Sequence, residues 1–154
     1  MLDRLKKFLR EDDETKAAAD QGVDEVQLAA AALLMEAAGK DGSLDAAERD
    51  KIEELIAARF GSDKAEIDRL LRQTEERLEN SHQILPFTRV VKDRLDHEER
   101  IEVLEMLWEV VYADGELHDY EANLMRRVAG LIYVSDRESG EARKRALARL
   151  GLEG

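Results

Sequence analysis

Two acidic segments of the chain follow one pattern and hold the residues best suited to chemistry. Residues 41–48 read Asp-Gly-Ser-Leu-Asp-Ala-Ala-Glu, and residues 114–121 read Asp-Gly-Glu-Leu-His-Asp-Tyr-Glu. Both fit D-G-x-L-x-x-x-E at a separation of 73 positions, and a glutamate precedes each segment at the same offset. The carboxylates at equivalent positions are Glu36, Asp41 and Glu48 in the first copy and Glu109, Asp114 and Glu121 in the second.

Carboxylates that a turn draws together suit hard divalent cations such as Ca²⁺ or Mg²⁺. Asp45 and His118 occupy equivalent positions and are further candidate ligands, and the imidazole would also suit Zn²⁺ or Mn²⁺. We therefore predict a metal site at each turn, formed by the six carboxylates. A standard EF-hand is not expected, because apolar or glycine residues stand where the first two ligands of that loop belong.

The same acids have a purely structural interpretation. Asp-Gly is a common turn, and Glu48 and Glu121 can each accept a hydrogen bond from the backbone N–H that begins the next helix. Acids at a helix N-terminus also offset the helix dipole. Capping leaves Glu36 unexplained, because this residue is the only charge in an apolar stretch from Leu28 to Gly39. Both interpretations stay open.

Hydrophobic periodicity predicts an all-α fold. Capping pairs are expected at Asp45 with Glu48, Asp96 with Glu99, and Ser135 with Glu138, and Gly61 is expected to end a helix. Besides a short amphipathic helix over 2–10, the predicted helices span about 24–38, 45–60, 63–79, 82–95, 96–113, 119–133 and 136–150.

The duplication predicts how these helices assemble. Two three-helix halves, about 28–72 and 101–147, flank a connector helix. Each half has an apolar face that it cannot bury alone, so we expect the halves to pack around a pseudo-twofold axis. We predict one domain over residues 22–154, preceded by a basic arm and an acidic linker over residues 1–21.

Charge and composition limit the classes of partner that the protein can bind and its expected location. The 154 residues carry a net charge of −12, which repels nucleic acid and favours cations or basic partners. Residues 1–10 alone carry +3, and this amphipathic segment suits an anionic membrane surface or a partner. Because ten residues offer little apolar area, the preferred interpretation is a frayed or core-docked arm. Cysteine is absent, and no signal peptide or membrane span is recognisable, so the predicted location is the cytoplasm.

Catalysis is not expected from this sequence. The three histidines are scattered, and no phosphate-binding loop, cofactor motif or nucleophile accompanies the carboxylates. We predict that the protein is not an enzyme. A hydrolase that uses the acidic turns is the weakest alternative.

The chain resembles the TerB-like, tellurite-resistance-associated proteins. The resemblance rests on the doubled D-G-x-L-x-x-x-E motif, the connector Phe87-Thr88-Arg89-Val90-Val91 and the stretch Trp108–Glu121, and it covers about residues 22–150. It implies a TerB-like bundle, a link to chemical stress response beside membrane-associated complexes, and suspected metal sites at the six carboxylates. The resulting hypothesis is a stress-response module that binds a divalent metal and an unidentified protein. A metal-free adaptor is the alternative.

Overall fold

The computed structural model describes residues 16–39, 44–80, 83–113 and 115–152. Within these residues the secondary structure is helical, with turns and no strand. The helices are α1 (Lys16–Ala38), α2 (Ala46–Phe60), α3 (Lys64–Asn80), α4 (Leu85–Arg94), α5 (His97–Val111), α6 (Asp119–Leu131) and α7 (Asp136–Arg149).

The first helix is longer than its sequence predicted. It begins at Lys16, so residues 16–22, which we expected to belong to a linker, are helical. The reason is local, because Ala17, Ala18 and Ala19 are strong helix formers and no proline interrupts them. The predicted short helix over residues 2–10 lies outside the described residues. The single-domain boundary at residue 22 stays a prediction.

Predicted capping boxes are confirmed at the starts of three helices, α2, α5 and α7. At α2, for example, the Asp45 N–H donates to Glu48 Oε1 at 3.0 Å and the Glu48 N–H donates to Asp45 Oδ1 at 2.7 Å. The end of α2 is also as predicted, because Gly61 adopts a left-handed conformation with φ of 69°. The short loops and caps therefore follow from local sequence.

The helices form two pseudo-twofold-related halves, as predicted. In the first half α1 packs against α2 and α3, and in the second half α5 packs in the same way against α6 and α7. The long helices α1 and α5 contact each other at the centre, while α2 reaches across to α5 and α6 reaches across to α1. The connector α4 packs against α1 and α6. Each half thus covers the apolar face of the other.

The central position of α1 follows from its small side chains. Alanines 29, 30, 31, 32, 37 and 38 are all buried, together with Leu33 and Leu34. Small residues let neighbouring helices approach closely, so α1 contacts five of the six other described helices. The later helices also bury apolar side chains, among them Ile52, Leu71 and Leu104, while Val90 and Ile101 are partly buried against the core.

Candidate functional site

Two of the six predicted ligands cap their own helices. The Glu48 carboxylate accepts the Asp45 N–H at 3.0 Å, and the Glu121 carboxylate accepts the His118 N–H at 3.0 Å. Glu48 is partly exposed and Glu121 is buried. Asp45 and His118, the further candidate ligands, are the N-cap residues of α2 and α6. The structural interpretation therefore accounts for these four residues.

Glu109 is buried in α5 among basic side chains. Its carboxylate lies 3.6 Å from Lys51 Nζ and 3.6 Å from Arg59 Nη2, both on α2, and 3.3 Å from Arg149 Nε on α7. Burial raises the pKa of Glu109, while the charges of Lys51 and Arg59 oppose that rise. The predicted ligand thus has cations of both halves as neighbours.

One turn before Glu109, Glu105 extends this charged cluster. Arg145 Nε donates to Glu105 Oε1 at 2.5 Å, and Arg149 donates from Nη2 to Glu105 Oε2. Arg59 Nη2 lies 3.9 Å from the same carboxylate. Because Arg59 and Arg149 contact both glutamates, the cluster joins α2, α5 and α7. We call Lys51, Arg59, Glu105, Glu109, Arg145 and Arg149 the charge network.

Sequence reasoning missed Glu105, although a signal was present. Glu102, Glu105 and Glu109 lie at i, i+3 and i+7, so they share one face of α5, and all three are buried. Acids on a face that is otherwise apolar call for cationic partners, and the arginines of α7 supply them. Those arginines are 40 or more positions away in sequence, which hides the pairing from local inspection.

Glu36, the counterpart of Glu109, lies in a different setting. Together with Ile84, Tyr120, Asn123, Leu124 and Arg127 it lines an open cleft of about 190 Å³, which we call the Tyr120 cleft. The Tyr120 hydroxyl donates to the Glu36 backbone carbonyl oxygen at 2.9 Å and lies 3.5 Å from that of Gly39. This contact ties the start of α6 to the end of α1.

The pKa of the Tyr120 phenol is raised by its surroundings. Burial raises the pKa of its phenol, and the negative charges of Glu36 and Glu121 raise it further, against the opposing effect of Arg127. Glu36 belongs to the first copy of the motif and Glu121 to the second. Acids from both copies therefore act on the Tyr120 phenol.

The described glutamates that precede the turns have neighbours in the opposite half. Each glutamate that precedes a turn lies against the helix that follows the other turn: Glu36 against α6 and Glu109 against α2. Asp41 and Asp114 lie outside the described residues. Among the residues that the structure does describe, no three acids or histidines are grouped so that they could hold a metal ion. The two predicted metal sites stay a prediction.

An all-helical bundle of two related halves, with an acidic turn repeated in each, defines the class of this protein. The family model of the tellurite resistance protein TerB matches residues 27–144, so the chain belongs to the TerB family. No curated protein and no solved structure matches the chain. None of the described helices is long and apolar enough to cross a membrane.

Proposed function

We propose that this TerB-family chain is a non-enzymatic, cytoplasmic interaction module of a stress-response system, and that its fold does not require a metal. The proposal rests on one observation: three of the repeated acids bond to groups of this chain itself. Glu48 and Glu121 accept capping hydrogen bonds, and Glu109 lies among Lys51, Arg59 and Arg149. A divalent cation at Glu109 would have to approach three cationic groups, so the charge there disfavours it.

The exposed surface supports the interaction role. Among the described residues only three large apolar or aromatic side chains are exposed, namely Leu85, Tyr120 and Tyr133. Tyr120 lines the Tyr120 cleft, and Leu85 directly follows Ile84, which also lines it. An exposed aromatic side chain in a cleft with both apolar and polar lining residues is suited to protein binding.

Capture from cells tests this function. The tagged full chain is used as bait in lysate of the source organism, with and without EDTA. We expect one specific set of partners that is retained in EDTA and reduced by Leu85→Ser, whereas Tyr133→Ser retains it. Loss of the whole set in chelator would contradict a metal-independent module.

A second candidate function is cation binding at the first acidic turn. Its support is the position of Glu36, which lines the Tyr120 cleft at the end of α1, directly before this turn. Glu36 with Asp41 would supply hard oxygen ligands for Ca²⁺, Mg²⁺ or Mn²⁺, and His118, the N-cap of the helix α6 against which Glu36 lies, would extend the range to Zn²⁺. The described donors form no complete coordination sphere.

Calorimetric titration with these four cations tests the second candidate. Saturable heat, together with a rise in the melting temperature, is expected if the turn binds a metal. Glu36→Gln should then remove both signals, whereas the matched variant Glu109→Gln should keep them. Absence of saturable heat at millimolar metal would reject the candidate and leave the interaction module unaffected.

A further inference from the structure

The lining of the Tyr120 cleft is ordered along one face of α6. Tyr120, Asn123 and Arg127 line the cleft and lie at i, i+3 and i+7, so they follow one another along that face. Glu36 lines the cleft from the last turn of α1. The Tyr120 hydroxyl donates to the Glu36 carbonyl oxygen at 2.9 Å, which fixes the phenol beside α1. An acid and a base therefore border the same cleft, and the base lies two turns beyond Tyr120 on α6.

The end of the cleft beside Tyr120 has a negative local field. Burial raises the pKa of the Tyr120 phenol, and the charges of Glu36 and Glu121 raise it further. The opposing effect of Arg127 is the smallest of these four. The same hydroxyl lies 2.9 Å from the carbonyl oxygen of Glu36 and 3.5 Å from that of Gly39, at the C-terminal end of α1. Because helix C-termini carry partial negative charge, this end favours a cationic group.

The rest of the cleft has an apolar floor and a basic far end. Ile84 is 4% exposed and Leu124 is 6% exposed, so these two side chains form the floor. Arg127 and Asn123 supply N–H donors, and a guanidinium is the side-chain group best shaped to bind a carboxylate. The cleft thus complements a ligand that presents, in order, a cation, an aliphatic stem and a carboxylate.

The dimensions of the cleft match one amino-acid residue. Tyr120 and Arg127 are seven positions apart, which corresponds to about 10 Å along α6. The four-carbon stem of a lysine, with a hydrogen bond of about 3 Å at each end, covers a similar distance. The volume of about 190 Å³ is smaller than the roughly 300–1,000 Å³ of sites that enclose a whole small ligand. We therefore expect the cleft to take one residue of a larger partner.

We propose that the Tyr120 cleft binds the C-terminal residue of a partner protein, a lysine or arginine that meets Glu36 with its side chain and Arg127 with its terminal carboxylate. Both charges then belong to one residue, so the ligand fits the volume of the cleft. The aliphatic stem packs on Ile84 and Leu124 while its cation stays at the surface. This inference rests on the proposed interaction module and deepens it, because it names the segment of the partner that the module receives.

Three synthetic peptides of glycine and serine, which differ only at the last residue, test the inference. One ends in lysine with a free carboxylate, one in lysine amide, and one in norleucine with a free carboxylate. Each is titrated into the ¹⁵N-labelled full chain in EDTA, which excludes cation binding at Glu36, and the amide NMR signals of Tyr120, Asn123 and Leu124 report binding. We expect the first peptide to bind at least about fivefold more tightly than either of the others, because each of those lacks one charge-assisted contact.

Two variants of the chain assign the two contacts. Glu36→Gln should abolish the preference for lysine over norleucine and keep the preference for the free carboxylate over the amide. Arg127→Gln should do the reverse. Each variant keeps one preference, so the loss of the other cannot be attributed to misfolding. The matched control Arg137→Gln removes an arginine of α7 whose side chain is 89% exposed, and it should keep both preferences.

Equal binding of the lysine and norleucine peptides to the natural chain would overturn the inference, and so would equal binding of the free acid and the amide. Free lysine that binds as tightly as the lysine peptide would overturn the protein partner in favour of a small ligand. NMR changes confined to residues away from the cleft would overturn the site. In each case partner capture that Leu85→Ser still reduces would preserve the interaction module, so the two failures are distinguishable.

Discussion

Glu36 and Glu109 occupy equivalent positions of a duplicated motif, yet their surroundings differ in charge. Beside Glu109, α2 presents Lys51 and also Glu54, whose charge acts on the same carboxyl group. The equivalent positions on α6 hold Leu124 and Arg127, and both line the cleft with Glu36. Leucine at the position equivalent to Lys51 therefore removes one of the cations that would otherwise face this glutamate.

The difference shows how a duplicated fold can divide structural and binding roles. The Glu109 side holds the halves together through the charge network, which joins α2, α5 and α7. The Glu36 side is open and lined by the exposed Tyr120. In this account Glu109 stabilises the bundle, and Glu36 lines the surface proposed to face partners.

The largest expected effect comes from removing a cation of the charge network. Arg59→Met keeps the length and packing of the side chain but leaves Glu105 and Glu109 with one fewer counter-charge. The Arg59 side chain is only 12% exposed and that of Glu109 only 4%. We expect a loss of about 3 kcal/mol in the free energy of unfolding, because an uncompensated buried charge is costly.

The matched variant on the other side is Arg127→Met in the exposed rim of the Tyr120 cleft. It should change the free energy of unfolding by less than about 0.5 kcal/mol, as is usual for surface substitutions. Urea unfolding of both variants measures the contrast. Equal losses of unfolding free energy in Arg59→Met and Arg127→Met would contradict the proposed difference between the Glu109 side and the Glu36 side.

A double-mutant cycle measures how strongly the Glu105–Arg149 ion pair holds α7 to α5. Glu105→Gln and Arg149→Gln remove the two ends of one ion pair in the charge network, and Arg149 is 44% exposed at its side chain. After allowance for solvent screening, we expect a coupling energy of about 1 kcal/mol. Additive effects of the two substitutions, measured by chemical denaturation, would show that this pair does not hold α7 to α5.

The free energy of unfolding should depend on pH differently for the buried Glu109 than for acids at the surface. Its pKa is raised on folding, chiefly by burial, so the folded chain binds the proton more tightly than the unfolded chain. The resulting stabilisation is present below the ordinary pKa of 4.5 and is lost as pH rises through the folded value. Glu109→Gln should remove this pH-dependent loss.

Glu138 provides an internal control of opposite sign. Hydrogen bonds from His97 and Ser135 lower its pKa to about 2, so its contribution is present above the ordinary value of 4.5 and is lost as pH falls towards 2. The melting temperature, measured from pH 3 to pH 8, should therefore fall in two pH ranges. It should fall as pH decreases below 4.5 because of Glu138, and as pH increases above 4.5 because of Glu109. A Glu109→Gln variant that retains the loss above pH 4.5 would assign that range to another group.

The smallest expected effect concerns the hydroxyl that ties α6 to α1. Tyr120→Phe deletes the hydrogen bond to the Glu36 carbonyl oxygen and keeps the ring. We expect a cost of about 0.5 kcal/mol, since the group is partly exposed and water replaces the lost partner. A loss as large as that of Arg59→Met would mean that the cleft side stabilises the bundle as strongly as the charge network does.

Local sequence predicted the helices well, because periodicity and caps act over a few residues. Asp45 with Glu48 and Gly61 mark the ends of α2 without any knowledge of the rest of the chain. The predicted start of α1 near residue 24 is too late, because the alanines before Gly22 have no apolar period and yet favour a helix.

The candidate site was harder to predict, because its contacts form between the halves. Sequence proximity suggested that Glu36 and Glu48 would cluster around one turn. Packing of the halves instead sets Glu109 beside Lys51, which is 58 positions away, and Glu36 beside Tyr120, which is 84 positions away. The 73-residue register identified the equivalent glutamates but could not show which helix each would face.

Carboxyl-resolved NMR of Glu109 tests the central claim most directly. The ¹³C resonance of its side-chain carboxyl group is followed from pH 3 to pH 8, and then at pH 7 during addition of Ca²⁺ and Mn²⁺. The account predicts a titration midpoint above 4.5, and no saturable response at Glu109 to either cation. A midpoint below 4.5 would show that the cations of the charge network outweigh burial at Glu109, and a saturable metal-induced change at Glu109 would contradict the assignment of this glutamate to the charge network.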